Sequence, residues 1–250
     1  MSLKGQTAFI AGGAKNLGGL IASTLAAEGA NIAIHYHSAS VTKTAESLAA
    51  ELKQKYAGIK VELYQADLIQ TSNVKQVFAN ILKDFGKLDI VINTVGMVLK
   101  KALAEVTEQE YDTMFAVNSK SAFFIDQEAA KTVSDGGKII NIVTALLAAY
   151  TPFYSVYQGS KSPVEWFTKG LSKELMSRRI SVNAIAPGPM DTPFFYGQET
   201  DASVAYLKSV AIDGRLTKIE DIAPLVKFLV TDGSWITGQV LFASGGFVTR

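Results

Sequence analysis

The sequence predicts an α/β fold: one doubly wound sheet of seven parallel strands, with helices on both faces. Three observations carry that expectation. Short runs rich in Ile and Val alternate with longer Ala, Leu, Lys and Glu segments along the whole chain. The short runs are continuously apolar, as strands buried on both faces are, rather than alternating apolar with polar. The first run leads into glycines and then a helical pattern, the opening of a βαβ unit. At 250 residues, such a sheet is commonly built as one domain, so residues 1–250 are read as one.

The elements follow in order. Thr7–Ala11 is the first strand, and Leu17–Glu28 the first helix beyond the glycines. Asn31–Tyr36 and Val61–Gln65 are apolar strand runs separated by the Ala/Leu/Lys-rich helix Val41–Tyr56. Ser72–Phe85 reads as a helix and Leu88–Asn93 as the fourth strand. Glu108–Val133 reads as one long helix before the strand Gly137–Val143. Val156–Arg178 is a second long helix, with Pro163 inside it, and Ile180–Ile185 is the next strand. Ile219–Thr231 and Gln239–Phe242 are the last helix and strand. Asp191–Asp213 fits neither pattern; it is long, aromatic and polar, and is expected to be an insertion beside a ligand site.

Composition excludes several functions. Lys and Arg number 24 against 23 Asp and Glu, a formal charge of +1, so no nucleic-acid or membrane-surface partner is expected. The absence of Cys excludes disulfides, thiolate zinc sites, iron–sulfur clusters and a Cys nucleophile. It fits a reducing compartment, and a cytoplasmic location is expected. No apolar run approaches the roughly 20 residues that span a bilayer. The start, MSLKGQTAFIAGG, has one Lys and then a strand-like run, unlike a signal peptide.

Between the first strand and helix stand Gly12, Gly13, Ala14, Lys15, Asn16, Leu17, Gly18 and Gly19. Glycines let backbone approach a phosphate, and a helix N-terminus offers free N–H donors and partial positive charge. A tight strand-to-helix turn without a ligand has the same composition. The second strand ends His35-Tyr36-His37-Ser38-Ala39-Ser40, with no carboxylate between Glu28 and Glu46. An NAD site would place an acid there for the ribose 2′-hydroxyl. Lys15, His37, Ser38 and Ser40 suit a 2′-phosphate instead, so NADP(H) is the expected cofactor. His35 and His37 resemble a metal pair, but no carboxylate neighbours them, and no metal is expected.

Tyr157 and Lys161 lie four apart and share a helix face. A free Tyr titrates near 10, and a nearby cation lowers that value. Such a Tyr can exchange a proton with a carbonyl oxygen as hydride moves. Tyr56 and Lys60 match the same spacing, but they flank Gly58 before a strand. Tyr157 and Lys161 open a helix at the strand-end edge where doubly wound sheets bind ligands.

Together these residues resemble the short-chain dehydrogenase/reductase family along essentially the whole chain. The family's cofactor turn, T-G-x-x-x-G-x-G, is similar to Ala11–Gly18, with Ala11 for Thr and Asn16 for the middle Gly. Asn tolerates left-handed backbone. Lys15 stands where NADP-preferring members often carry a basic residue. The resemblance implies further contacts: Asp67 and Leu68 at adenine, and Asn93 and Gly96 in the N-N-A-G equivalent. Pro187, Gly188, Met190 and Thr192 match the loop that anchors the carboxamide. Asn118 matches the Asn that holds a proton-relay water, and Tyr157 and Lys161 match the catalytic pair, Lys161 also binding the ribose. Ile236–Gln239 and Gly245-Gly246 match the C-terminal strand and turn. The family's Ser is Thr144 here, which keeps the hydroxyl and adds a stiffening methyl group.

The implied activity is an NADPH-dependent carbonyl reductase or alcohol dehydrogenase of the Rossmann type. An NADP(H)-binding regulatory protein with weakened catalysis is the alternative. Substrate-lining candidates are apolar or aromatic: Leu146, Phe153, Phe194 and Phe195, with Met97, Leu99, Leu147, Tyr154, Met190 and Tyr196 nearby. They suit a small carbonyl or alcohol substrate with hydrophobic bulk. The resemblance also implies a homotetramer or dimer packed through the two long helices and the last strand.

Overall fold

A computed structural model describes residues 2–149 and 151–249. The strands are β1 (Thr7–Ala11), β2 (Asn31–Tyr36), β3 (Val61–Gln65), β4 (Leu88–Asn93), β5 (Val133–Ile142), β6 (Ser181–Pro187) and β7 (Val240–Ala243). Among the described residues they form one parallel sheet in the order β3-β2-β1-β4-β5-β6-β7. The chain builds outward from β1 to β3, then returns beside β1 and builds the other way. That reversal opens a crevice at the carboxyl ends of β1 and β4, where ligands of such sheets sit.

The helices are α1 (Asn16–Ala27), α2 (Thr42–Lys55), α3 (Thr71–Phe85), α4 (Glu108–Phe115), α5 (Ser121–Thr132), α6 (Ser155–Glu174), α7 (Pro193–Tyr196), α8 (Asp201–Ser209) and α9 (Ile219–Thr231). Strand alternation sorts the core into two layers. Ile10, Ile34, Ile92 and Ile185 pack with α1, α2 and α9 through Ile21, Leu52 and Val226. Phe9, Val91, Ile139 and Val182 face the other way, against Phe78 of α3 and Ile125 of α5. Both faces of the central strands are therefore apolar, which explains their unbroken Ile/Val runs.

Four elements differ most from the sequence expectation, while α6 stops at Glu174 before a 3-10 turn and β7 is shifted by one residue. The helix expected over 108–133 is broken by a π turn, Ala116–Lys120, in which the Ser121 N–H donates to the Ala116 carbonyl. Such turns insert one residue into a helix and often mark functional positions. β5 begins at Val133, not Gly137, because Val133 already pairs with Leu88 before an irregular stretch; regular pairing resumes at Lys138. β6 runs past Ile185 to Pro187, which pairs with Ala243 at the end of the sheet. The 191–213 segment is helical: Pro193 starts α7, and Thr200 with Ser203 forms the capping box of α8. A proline at the first position of α7 and a polar cap on α8, not an apolar stripe, start these short helices, so periodicity does not reveal them. α6 continues through Pro163 and is followed by a left-handed Arg179.

Candidate active site

The glycine turn leaves β1 at the sheet reversal. Gly12 has φ 77°, and a Cβ on Gly18 would lie 2.3 Å from the Gly12 carbonyl oxygen. Only glycine permits that approach. Asn16 takes φ 49°, the left-handed backbone that Asn tolerates. The N-cap residue Lys15 makes no side-chain cap bond, so no cap from it covers the first N–H groups of α1. Thr94, directly after β4, ties the turn to that strand: its hydroxyl donates to the Ala11 carbonyl at 2.8 Å. Leu17 and Gly18 are buried beneath the turn.

Beside the turn lies the end of β2. Tyr36 is buried, whereas Lys15 and His37 are exposed. His37 Nδ1 lies 3.7 Å from an Asp67 carboxylate oxygen. Asp67 also accepts a bond from the Ile69 N–H at 3.1 Å, and Leu68 is buried behind it. Ser38 caps a short 3-10 turn, accepting from the Ser40 N–H at 3.2 Å. His35 is buried, so the two His do not form a pair. Among the described residues, no group of three or more His, Cys, Asp or Glu could hold a metal ion.

The loop after β4 is held by amide side chains. Asn93 donates to the Asn141 side-chain oxygen at 3.3 Å and accepts from the Val95 N–H at 3.1 Å. Asn118, in the π turn, pairs with both backbone groups of Met97 at 2.9 Å and donates to Ser160 Oγ at 2.9 Å. Both its amide hydrogens are thereby used. The side chain acts as a strut between this loop and α6. A Cβ on Gly96 would lie 2.9 Å from the Lys161 ammonium, so glycine admits that lysine.

Tyr157, Lys161 and Thr144 meet at the start of α6 and the end of β5, each less than one-tenth exposed. The Thr144 hydroxyl bonds to the Tyr157 oxygen, which favours the phenolate, but burial outweighs it and pushes the phenol up to about 12. Thr144 also accepts from the Leu146 N–H at 3.2 Å. Lys161 donates to the carbonyls of Val95 and Ile142, each at 3.2 Å, and burial pulls it down to about 8. Desolvation therefore governs both groups here, rather than the lowering of Tyr157 by Lys161 that the spacing suggested. Ser160, which carries no sequence signal of its own, donates to the Tyr157 carbonyl at 2.8 Å and links it to Asn118.

Beside Tyr157 and Thr144 opens a cavity with a largely apolar lining. Thr144, Tyr157, Leu146, Phe194, Phe195, Met190 and Tyr154 line it, as do Pro187, Gly188 and Thr192. Phe153 does not: it is 52% exposed on a left-handed turn of φ 70°, outside the lining. Tyr196 also lies outside, bonded to Asp191 at 2.7 Å. Val98, Thr151, Glu199, Leu207 and Phe247 line the cavity without having been singled out in the sequence. They come from four separate segments that only folding brings together. Glu199 is the charged member of the wall, paired with Lys100 at 2.5 Å. Thr192 Oγ1 is buried with no hydrogen-bond partner among the described residues.

Known proteins share this architecture. A family model described as Enoyl-(Acyl carrier protein) reductase matches residues 12–248. A Burkholderia cenocepacia protein solved with bound NADP superposes with a TM-score of 0.96 at 52% identity, covering 100% of this chain and 96% of that one. A short-chain type dehydrogenase/reductase of Picea abies is 39% identical over 98% of this chain and 93% of its own length. A hydroxynaphthalene reductase-like protein of Metarhizium brunneum is 33% identical, over 99% of this chain and 97% of its own.

Proposed function

The chain belongs to the short-chain dehydrogenase/reductase family, and on that premise we propose that it is an NADPH-dependent carbonyl reductase with Tyr157 as its proton donor. One observation carries the reading: buried Tyr157 and Thr144 line an apolar cavity, and buried Lys161 lies four residues on from Tyr157 in the same helix.

The residues fit NADP(H), the cofactor bound in the Burkholderia relative. Gly12 and Gly18 clear space for a pyrophosphate, and the first N–H groups of α1 face it without a side-chain cap from Lys15. Lys15 and His37 offer positive charge to a 2′-phosphate, with Tyr36, Ser38, Asp67 and Leu68 around the adenosine. Pro187, Gly188 and Met190 shape the nicotinamide end, where the unpartnered Thr192 hydroxyl suits the carboxamide. Asn93 and Gly96 hold the loop along the ribose, and Lys161 reaches it. Bound there, NADPH supplies hydride to a carbonyl carbon.

The chain's own groups manage the proton. A phenol held near 12 stays protonated at neutral pH, the form that can give a proton to a carbonyl oxygen. Thr144 turns its hydroxyl from Tyr157 to that oxygen and polarises it. The charged form of Lys161 stabilises the phenolate left behind. Asn118 acts as a positioning residue through Met97 and Ser160.

The substrate is a ketone or aldehyde with hydrophobic bulk, resting on Leu146, Phe194 and Phe195. The hydroxynaphthalene reductase-like relative makes fused aromatic ketones the first compounds to try. We also read residues 1–250 as one domain in the cytoplasm, assembling as a dimer or tetramer. Phe123 of α5 and Trp166 of α6 support that assembly, being 43% and 66% exposed on neighbouring helices.

The test is a carbonyl panel assayed with NADPH and NADH in parallel. NADPH should support much faster turnover, and Tyr157→Phe should abolish it while sparing NADPH binding. Faster turnover with NADH, or a near-normal rate in Tyr157→Phe, overturns the reading.

A further inference from the structure

The imidazole of His35 joins the two segments that, on the reading above, hold the dinucleotide. The Gly12 N–H donates to His35 Nδ1 at 3.1 Å, and His35 Nε2 lies 3.0 Å from the Ala66 carbonyl oxygen. Backbone bonds run alongside: the Gly13 N–H donates to the His35 carbonyl at 2.9 Å, and the Ala66 N–H to the Tyr36 carbonyl at 3.1 Å. The side chain is 2% exposed, and its ring meets the edge of Phe9 at 6.5 Å between centroids. One residue thus spans the ends of β1, β2 and β3.

The partners dictate the tautomer. Gly12 offers a donor, so Nδ1 must carry a lone pair; Ala66 offers an acceptor, so Nε2 must carry the hydrogen. An imidazolium would set a second N–H against the Gly12 N–H. Lysine and arginine have no acceptor, and leucine would leave the half-buried Gly12 donor without this partner. Asparagine has both an acceptor and a donor on one planar group.

We propose that neutral His35 is a positioning residue for the cofactor, clamping the glycine turn to the segment that carries Asp67. The orientation of Gly12 sets where the α1 N-terminus points, and the Ala66 bond sets its distance from the adenine side. Burial pulls the imidazole down to about 4. Two titratable groups act on it, His37 at the end of its own strand and Asp67 beyond β3, while Phe9 on the β1 side is uncharged. Neither partner is needed for the clamp, which is made to backbone.

Calorimetric titration of NADP⁺ into the wild type, His35→Leu and His35→Asn tests the clamp. His35→Leu should weaken Kd about ten-fold, the scale of one lost buried hydrogen bond. It should raise the KM for NADPH with kcat unchanged, and His35→Asn should restore most of the affinity. A His35→Leu variant with wild-type Kd and only a lower melting temperature overturns the proposal. A wild-type chain that binds no NADP⁺ overturns the cofactor reading itself, a separate result. Should His35→Leu not fold, long-range ¹H–¹⁵N spectra of the wild type decide, since the chain has two His. They should report an Nε2–H tautomer for His35 that persists to about pH 5, assigned by its absence from His35→Asn. An Nδ1–H tautomer, or a charged ring at pH 6, overturns the proposal.

Discussion

The Tyr154 hydroxyl donates to a Glu199 carboxylate oxygen at 2.5 Å, joining the segment between α7 and α8 to the start of the helix that carries Tyr157. Lys100 and Ser203 bond the other oxygen, and the Tyr154 and Tyr157 rings lie 6.0 Å apart, edge to face. One carboxylate therefore ties a wall of the cavity to the ring that packs against Tyr157. Glu199→Ala should leave Lys100 and the Tyr154 hydroxyl without their carboxylate and cost roughly 1–3 kcal/mol of stability. Steady-state kinetics should give a carbonyl KM raised about ten-fold and a smaller change in kcat, because Tyr157, Thr144 and Lys161 remain.

Thr144 should tolerate Ser and not Ala. Thr144→Ser keeps the hydroxyl that bonds Tyr157 and caps the turn at Leu146. Its rate should stay within about three-fold of wild type, while Thr144→Ala loses about 100-fold in kcat. Equal rates for the two variants would remove Thr144 from the chemistry.

The Lys161 value of about 8 predicts a basic limb in the reduction profile. Its folded pKa is lowered, so the amine loses its charge as pH rises through about 8. kcat/KM, which reports the free enzyme, should fall about ten-fold per pH unit beyond that point. Tyr157, held up at about 12, should not titrate in the same range. A flat profile to pH 10 contradicts this assignment.

Asp126 predicts a pH-dependent stability unconnected with catalysis. Burial raises its carboxyl to about 7, although Asn141 donates to both oxygens at 3.0 and 3.2 Å. A raised folded pKa means the native state holds the proton longer than the unfolded chain does. The favourable contribution is full below the unfolded value of about 4 and is lost as pH rises through about 7. Asp126→Asn should therefore match wild type near pH 4 and exceed it at pH 8, as read from urea midpoints. The opposite ordering at pH 8 would refute it.

Subunit association is tested at Trp166. It projects from α6 with Lys169 lying 4.6 Å over its ring, near the Phe123–Phe167 contact of 5.2 Å. Trp166→Glu should yield a smaller species by analytical ultracentrifugation while leaving the melting transition cooperative. An unchanged sedimentation coefficient argues that copies do not meet on this face.

The strands from β1 to β4 were legible to the residue because burial on both faces leaves continuous apolar runs. The glycine turn was legible because the close approach of Gly18 to the Gly12 carbonyl and the positive φ of Gly12 admit few residue types there. Helix continuity at 116–120 was not. The π turn there accompanies Asn118 reaching Met97, a contact between residues far apart in the chain. Phe153 illustrates the converse: an aromatic next to the site in sequence stands outside the cavity, because its turn leaves it half exposed.

Local pattern and composition by themselves determined the parallel sheet, the glycine turn after β1, the absence of thiol chemistry, and the helical spacing of Tyr157 and Lys161. Those features depend on spacing along a single element. Only the tertiary structure decided what surrounds them. It buried Tyr157 and Lys161 deeply enough for desolvation to govern both. It brought Glu199, Leu207 and Phe247 to one cavity and set His35 between Gly12 and Ala66. Burial and cross-strand contact arise from packing distant segments together, and no local pattern encodes them.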